Sequence, residues 1–378
     1  MHYLDHAATS PLRPVAREAW LEASDAVGNP SALHGDGRRR RAIVEDARER
    51  IAAALGAHPG EVILLSGGTE ADNLAIKGLW WGRGGVGRIV STAVEHHAVL
   101  DPARWLADRD DADVAEIAVD GTGAVEHEAF VAALVGATLA TAMWVNNEVG
   151  AVQPIPALAE AARDAGVPMH CDAVQAVSYE PVDFAASGLT TMAVSAHKLG
   201  GPVGVGALIA RRDAPLVPLL HGGGQERKVR SGTVDAAGAA AFAAALEEVV
   251  ADREAERDRV AALAARLADG IRAAVPDAVV RGAGEGCAPH IVHAVVPGAS
   301  SEAMLMLLDA AGVAVSSGSA CTAGVVERSH VLQAMGHTPE EARSAVRLSL
   351  GWTTADWDVD TALDALPEAV ERARAAGL

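Results

Sequence analysis

The sequence predicts an α/β fold, with a large domain built on a mostly parallel seven-stranded sheet and a smaller α+β domain. Between about residues 60 and 210, short runs of strand-forming residues alternate with Ala- and Leu-rich segments of helical period. This alternation is typical of βαβ units, whose parallel strands are covered on both faces. The seven runs are Glu61–Ser66, Arg88–Thr92, Val114–Val119, Leu139–Asn146, Val167–Cys171, Thr190–Ser195 and Val205–Ala210.

The last predicted strand and the segments after it depart from the βαβ pattern. Because Val205–Ala210 follows the preceding run after only a short Gly/Pro loop, we expect these two strands to pair in antiparallel fashion. Beyond them, an Ala-, Glu- and Arg-rich segment from about Asp235 to Ala274 predicts one or two long helices. We expect a large domain of residues 14–249 and a small domain of residues 1–13 and 250–378.

Composition excludes several classes of protein. The 378 residues include 31 basic and 50 acidic ones, and the resulting formal charge of −19 argues against nucleic acid as the main partner. No apolar stretch reaches the ~18–20 residues of a membrane span, and the N-terminus lacks the pattern of a secretory signal. Three distant cysteines cannot form a disulfide framework. We therefore expect a reduced, soluble, cytoplasmic protein without a membrane partner.

Polar residues follow the predicted strands at the edge where an open parallel sheet binds its ligands. Ser66 to Glu70 form a glycine turn that enters a helix, and such a turn offers backbone N–H groups to a phosphate. His96, after the next strand, could stack on an aromatic ring and move protons. A metal site is not favoured, because no Cys, Asp or His set at ligand spacing accompanies His96.

Two charged residues at this edge point to a particular chemistry. Asp172 ends a strongly apolar strand, where an unpaired carboxylate would cost several kcal/mol, and a protonated pyridine nitrogen would be a suitable partner. Lys198 is one of only three lysines and lies between a strand and a glycine loop. Partial desolvation would lower its pKa and suit it to Schiff-base chemistry.

The strand-end residues together predict a site for pyridoxal phosphate (PLP). They supply phosphate donors, a carboxylate for a ring nitrogen, an aromatic side chain for stacking and a reactive lysine. The converging residues are Thr69, His96, Asn147, Asp172, Gln175, Ser195, His197 and Lys198.

Motifs along the whole chain resemble those of the NifS/IscS-type group I cysteine desulfurases, class-V aminotransferases of PLP fold type I. They occur in the same order and at similar spacing. They are Tyr3–Thr9, Gly28–Ser31, Gly67–Ala75, Val145–Gly150, Asp172–Gln175, His197–Lys198, His221–Glu226, Arg230–Thr233, Ser316–Cys321 and Arg347–Gly351.

The resemblance implies a role for each candidate residue. Lys198 would bind the cofactor covalently and move the Cα proton of the substrate, while His96 would stack on the pyridine ring and relay protons. Asp172 would pair with the ring nitrogen and Gln175 with the phenolic oxygen. Asn147 and Arg347 would position the substrate carboxylate, for which arginine provides a bidentate fork. The phosphate would be held by Gly68, Thr69, Ser195 and His197, joined by Thr233 from the other subunit of a homodimer.

Cys321 is the residue that would distinguish a desulfurase. It lies in a stretch of small residues, Ser316 to Gly324, which is typical of a mobile loop. By the resemblance, its thiol would attack the sulfur of L-cysteine, form a persulfide and leave alanine. The 21 residues from Ser316 to Gly336 match the long-loop group. That loop would carry sulfur to acceptor proteins such as an iron–sulfur scaffold or a tRNA-thiolation enzyme.

Other functions remain open at this level. A selenocysteine lyase or a cysteine-sulfinate desulfinase would depend less on Cys321, and a class-V aminotransferase would consume a keto acid. A non-catalytic protein that retains the fold is disfavoured, because Lys198, Asp172, Cys321 and Arg347 are all present. The sequence departs from the family pattern at Ala196, where many members have glycine, and in its short C-terminus, where some members dock a scaffold.

Overall fold

The computed structural model describes residues 1–282, 284, 286–318, 321–322, 325–326 and 328–377, and residues 321–322 and 325–326 by their backbone only. The strands are β1 (His2–Tyr3), β2 (Val62–Leu65), β3 (Arg88–Thr92), β4 (Asp113–Ile117), β5 (Ala137–Thr141), β6 (Met169–Asp172), β7 (Thr191–Ser195), β8 (Gly206–Ala210), β9 (Val279–Arg281), β10 (Ile291–Val295), β11 (Val313–Ala314), β12 (Cys321–Thr322), β13 (Val325–Val326) and β14 (Ala345–Ser349). The α-helices are α1 (Pro14–Ser24), α2 (Gly35–Ala54), α3 (Gly68–Gly82), α4 (His97–Asp110), α5 (His127–Ala133), α6 (Ile155–Asp164), α7 (Phe184–Ser187), α8 (Ala236–Ala274), α9 (Ser301–Ala310), α10 (His330–Ala334) and α11 (Asp356–Ala376).

A seven-stranded sheet of order β2-β8-β7-β6-β5-β3-β4 forms the centre of the fold. Its pairs are parallel except those of β8, which runs antiparallel to both β7 and β2. The predicted mostly parallel sheet and its one antiparallel strand are therefore confirmed. Strands β2, β6, β7 and β8 are buried along their whole length, as expected for strands covered on both faces. Of these, β2 and β8 are apolar throughout, whereas β6 contains the buried His170 and Asp172.

The predicted strand Leu139–Asn146 ends earlier in the structure, at Thr141. Beyond this point the backbone still donates to β6, from Ala142 to His170 and from Trp144 to Asp172, before the chain turns at Asn146. Its Oδ1 accepts hydrogen bonds from the backbone N–H groups of Glu148 and Val149, both at 2.9 Å. An Asn side chain that bonds nearby backbone in this way stabilises a turn in place of a strand. This turn presents Asn147 at the edge of the sheet.

The long Ala-rich segment forms a single helix, α8, of 39 residues. Asp235 caps its N-terminus by accepting a hydrogen bond of 3.0 Å from the backbone N–H of Gly238. Its first part contributes Phe242 and Leu246 to the core under the large sheet. Its second part contributes Leu263 and Leu267 to another core. The proposed boundary between residues 249 and 250 thus falls within one continuous helix, and the division into two domains stays a prediction.

The second core lies beside a three-stranded antiparallel sheet of order β14-β10-β9. Helices α9 and α11 and the second part of α8 contribute residues to this core together with the sheet, which is an α+β arrangement. The N-terminal segment also joins this part, because β1 pairs with β11 and Leu4 lies in the same core. In the described part of the chain, every helix is too short or too polar to span a bilayer.

Candidate active site

A cavity of about 270 Å³ lies at the carboxyl edge of the large sheet. The structure brings nine predicted residues together on its wall, although they come from separate strand ends. These are Gly68, Thr69, His96, Asn147, Asp172, Gln175, Ser195, His197 and Lys198. Asp72, Met143 and Val174 complete the lining.

One wall of the cavity is the N-terminus of α3, which begins at Gly68 with Gly67 as its N-cap. Gly67 has a φ of 151°, a value that residues other than glycine rarely adopt. A Cβ atom at Gly68 would lie only 2.9 Å from Val174 Cγ2, so a side chain there would crowd the cavity. The first-turn N–H groups of a helix lack partners within the helix and attract anions. Together with the hydroxyls of Thr69 and Ser195, this wall suits a phosphate group.

Asp172, the last residue of β6, provides the carboxylate of the cavity and is only 6% exposed. One of its oxygens accepts a hydrogen bond of 2.9 Å from the backbone N–H of Val174. Burial raises the pKa of Asp172, and the nearby His96 and Lys198 side chains oppose this rise. Since neither residue forms an ion pair with it, a buried cation would stabilise the carboxylate. A protonated pyridine nitrogen fits this requirement.

Lys198 ends a single 3-10 turn, Ala196–Lys198, directly after β7. Its Nζ donates hydrogen bonds to the backbone carbonyl oxygens of Ala7 at 2.6 Å and Ala8 at 2.8 Å. Burial, assisted by the charge of Arg347, lowers the pKa of Lys198 to about 8. The neutral, nucleophilic form of this amine is therefore much more populated near neutral pH than that of an ordinary lysine.

The two histidines of the cavity are held in their neutral forms. His96 is the N-cap of α4, and its Nδ1 accepts a hydrogen bond of 3.1 Å from the backbone N–H of Ala98. This bond places the proton of the neutral ring on Nε2. Burial lowers the pKa of His96, and burial with the charge of Lys198 lowers that of His197 to about 4. Both rings are therefore uncharged and can stack on an aromatic ring, and Nε2–H of His96 is a donor.

Two predicted site residues, Arg347 and Thr233, do not line the cavity, and the side chain of a third, Cys321, is not described. Arg347 lies beside it on β14, only 3% exposed, where Nη1 donates to the backbone carbonyl oxygen of Asn147 at 2.7 Å. Thr233 is exposed and lines a different cavity. The backbone of Cys321 lies in β12, which pairs with β13, but its side chain is outside the described part of the molecule. The roles assigned to all these residues remain predictions.

Sequence reasoning assigned no role to Asp72, although its side chain lines the cavity. Its Oδ1 is 3.1 Å from Nε2 of the buried His170, and burial together with the Asp172 charge raises its pKa. Ligand atoms of Asp72, His96 and Asp172 all lie within 4.8 Å of one another, a spacing that a cation could bridge. The rest of the cavity favours a ring nitrogen as that cation. The sequence does contain a signal for this position, because Asp72 follows Gly68 by four residues and therefore lies on the same face of the helix.

Glu95 is a second buried carboxyl group that sequence reasoning passed over. Its Oε1 accepts hydrogen bonds from Thr92 Oγ1 at 2.6 Å and from the backbone N–H of Met143 at 2.7 Å. Its Oε2 has no hydrogen-bond partner among the described residues. Burial raises the pKa of Glu95 to about 8, so that the group is largely protonated at neutral pH.

Comparison with known proteins places this geometry in a family. Residues 2–362 match the model of the family described as aminotransferase class-V. The chain belongs to the class-V aminotransferases. Members of this family are in general PLP-dependent. A relative described as an IscS-like cysteine desulfurase, from Mycobacterium tuberculosis, is 49% identical, and the match covers 100% of this chain and 98% of the relative.

Solved structures agree with the family assignment. A NifS-like protein superposes with a TM-score of 0.90 at 30% sequence identity, and the match covers 98% of this chain and 99% of that one. A structure described as SspA in complex with cysteine has a TM-score of 0.81 at 29% identity and covers 93% of this chain and 99% of its own. The resemblance to NifS/IscS-type cysteine desulfurases and the predicted fold class are both confirmed.

Proposed function

We propose that this protein is a PLP-dependent cysteine desulfurase, which converts L-cysteine to L-alanine and retains the sulfur as a persulfide on Cys321. The observation that carries the proposal is the convergence of the Lys198 amine and the Asp172 carboxylate on one cavity, opposite the N-terminus of α3. Full-length relatives described as cysteine desulfurases support the choice of reaction.

The side chains that line the cavity are of the chemical types that would bind PLP. When bound, PLP supplies an electron sink that stabilises negative charge at the Cα atom of the substrate. Lys198 would hold it covalently and, once released as a free amine, would move the Cα proton. Asp172 would keep the ring nitrogen protonated, and His96 would stack on the ring face. Gln175 would donate to the phenolic oxygen, and the phosphate would lie against Gly68, Thr69, Ser195 and His197.

In this proposal Arg347 would bind the carboxylate of the amino-acid substrate, and its surroundings support the assignment. Its two Nη atoms donate to the carbonyl of Asn147 and to Oδ1 of Asp5, at 2.7 and 2.8 Å, which orients the guanidinium beside the cavity. Its Nε has no hydrogen-bond partner among the described residues, so the group retains a buried donor. A buried donor without a partner is costly, and a substrate carboxylate would satisfy it.

The sulfur transfer requires no external oxidant. In the proposed step the Cys321 thiolate attacks the substrate sulfur, so that an S–S bond forms and the Cβ–S bond breaks. The electron pair of the broken bond remains with the carbon skeleton, which takes up protons to become alanine. The sulfur is thereby oxidised and Cβ is reduced to a methyl group. In this proposal His96, which lines the cavity and carries its proton on Nε2, would donate that proton during the transfer.

We further propose a homodimer in which Thr233 completes the phosphate site of the other subunit. The support is that Thr233 is exposed and lies outside the cavity of its own chain. Val27, Leu33 and Val203 are also largely exposed, as expected for residues at an interface. A cytoplasmic location fits the free thiols of Cys171 and Cys287, and the proposed sulfur acceptors are an iron–sulfur scaffold or a tRNA-thiolation enzyme.

Product analysis tests the proposed reaction. The holoenzyme is incubated with L-cysteine and a reductant, and alanine and sulfide are measured. Equal amounts of both, without a keto acid, are expected. A requirement for a keto acid, or the absence of a sulfur product, would favour an aminotransferase. Near wild-type sulfide release by Cys321→Ala would favour a lyase that does not use this thiol.

A further inference from the structure

Glu148 is a buried carboxyl group that the proposed reaction does not use. It directly follows Asn147 and is only 3% exposed. The Asn146 turn holds its backbone, and Asn146 Nδ2 in turn donates to the carbonyl oxygen of Val94 at 2.9 Å. The position of Glu148 is therefore fixed relative to the strand end that forms the cavity.

The Glu148 side chain binds the residue at which helix α10 begins. Ser329 Oγ donates a hydrogen bond of 2.5 Å to Glu148 Oε2. The same hydroxyl accepts the backbone N–H of Leu332 at 3.0 Å and so caps α10. Ser329 is 2% exposed, and this contact is thus shielded from water.

The same side chain also lies next to the buried Gly318. Gly318 has a φ of +88°, and a Cβ atom built there would lie 3.4 Å from Glu148 Cβ and 3.5 Å from Cγ. Two residues earlier, Ser316 exchanges backbone hydrogen bonds with Arg347, at 3.1 and 2.6 Å. The chain entering this segment therefore packs between Glu148 and the strand that carries Arg347.

Gly318 and Ser329 are the two ends of the segment that contains Cys321. Because Cys321 is three residues from Gly318, chain connectivity alone keeps their Cα atoms within about 11 Å. We propose that Glu148 is a positioning residue that fixes both ends of this segment beside Asn147 and Arg347, so that the Cys321 thiol can reach the sulfur of a bound substrate. This inference rests on the proposed desulfurase function.

The groups around the Glu148 carboxyl shift its pKa in opposite directions. Burial raises its pKa, while the hydrogen bond from Ser329 and the charges of Arg347 and His97 oppose the rise. The carboxyl group therefore combines a tertiary contact to Ser329 with a long-range attraction to Arg347. Loss of the side chain would release both ends of the segment, whereas loss of the Ser329 hydroxyl would release only the second.

Hydrogen exchange distinguishes these contacts without reference to turnover. Exchange is measured by mass spectrometry in wild type, Glu148→Ala, Glu148→Gln, Ser329→Ala and the control Asp358→Ala. Asp358 is likewise buried, but it caps α11 through the backbone N–H of Ala355. Glu148→Ala should accelerate exchange in peptides 313–318 and 328–335, and Ser329→Ala only in the second. Glu148→Gln, which keeps an acceptor for Ser329, should remain near wild type.

The holoenzymes are then mixed with L-cysteine. Glu148→Ala should retain the wild-type change in the cofactor spectrum on cysteine binding, but form the Cys321 persulfide about tenfold more slowly or worse. Glu148→Gln should recover most of the rate, and Asp358→Ala should match wild type in both. Wild-type exchange or a wild-type persulfide rate in Glu148→Ala would overturn the inference, as would equal defects in the Ala and Gln variants. Absence of a persulfide in the wild type would instead refute the proposed function.

Discussion

Arg347 donates from Nη1 to the backbone carbonyl oxygen of Asn147, which connects the last strand of the small sheet to the turn that lines the cavity. The two residues are 200 positions apart, and a second hydrogen bond to Asp5 fixes the other Nη atom. The guanidinium is thus oriented before any substrate arrives, which reduces the entropy lost on binding.

Arg347→Lys should weaken cysteine binding more than it slows the reaction of bound cysteine. Lysine retains the charge but loses the planar fork, and a charge-assisted hydrogen bond of this kind corresponds to roughly a 10- to 100-fold increase in KM. Steady-state kinetics with L-cysteine measure the effect. Arg374→Lys, at a solvent-exposed ion pair with Asp277, is the control and should match wild type. An unchanged KM in Arg347→Lys would remove this residue from substrate binding.

Lys198 should be the lysine that binds PLP. Borohydride reduction of the holoenzyme, followed by peptide mass analysis, should locate the cofactor on Lys198, and Lys198→Ala should lose both the adduct and turnover. Because the pKa of Lys198 is lowered to about 8, the rate of PLP addition to cofactor-free protein should rise with pH and level off above this value. Adducts on Lys77 or Lys228, which lie outside the cavity, would refute the assignment.

Glu95 should make stability depend on pH in a definite direction. Its pKa is raised from 4.5 to about 8 on folding, so between these values the folded protein binds a proton that the unfolded chain has lost. The free energy of unfolding should therefore fall as pH rises through this window, by at most roughly 1.4 kcal/mol per pH unit from this group. Urea unfolding is measured across this pH window for wild type and for Glu95→Gln, which cannot titrate at this position. The free energy of unfolding of wild type, relative to that of Glu95→Gln, should fall as the pH rises. Parallel pH profiles would contradict a protonated Glu95.

Thr233 should act across a subunit interface. Lys198→Ala and Thr233→Ala subunits, each inactive as a homodimer if the Thr substitution is severe, should regain activity when mixed and allowed to exchange. Each heterodimer would then contain one cavity with both an intact lysine and an intact threonine. A fully active monomer at assay concentration, shown by sedimentation, would exclude composite sites.

The parts of the site that the sequence predicts correctly are those set by local structure. A glycine turn after β2, an aspartate at the end of β6 and a lysine after β7 must meet at one edge, because parallel strands bring their carboxyl ends together. The strands themselves are recognisable because short runs rich in strand-forming residues alternate with segments of helical period.

The parts that sequence reasoning misses depend on contacts between distant residues. The predicted strand after Leu139 runs past the observed end at Thr141, and its last predicted residue, Asn146, instead begins a turn that its own side-chain hydrogen bonds hold. The hydrogen bond between Ser329 and Glu148 joins residues 181 positions apart, and no local pattern reports it. The raised pKa values of Asp72 and Glu95 arise from burial in the folded chain, where each lies near Asp172.

The most direct test of the desulfurase proposal is to locate the sulfur on the protein. The holoenzyme is treated with L-cysteine without reductant, its thiols are blocked, and its peptides are analysed by mass spectrometry. The peptide of Cys321 should gain the mass of one sulfur atom before those of Cys171 and Cys287, and Cys321→Ser should bind cysteine yet release almost no sulfide. Sulfur found first on Cys287, or a Cys321→Ser variant that keeps most of its activity, would contradict the proposed reaction.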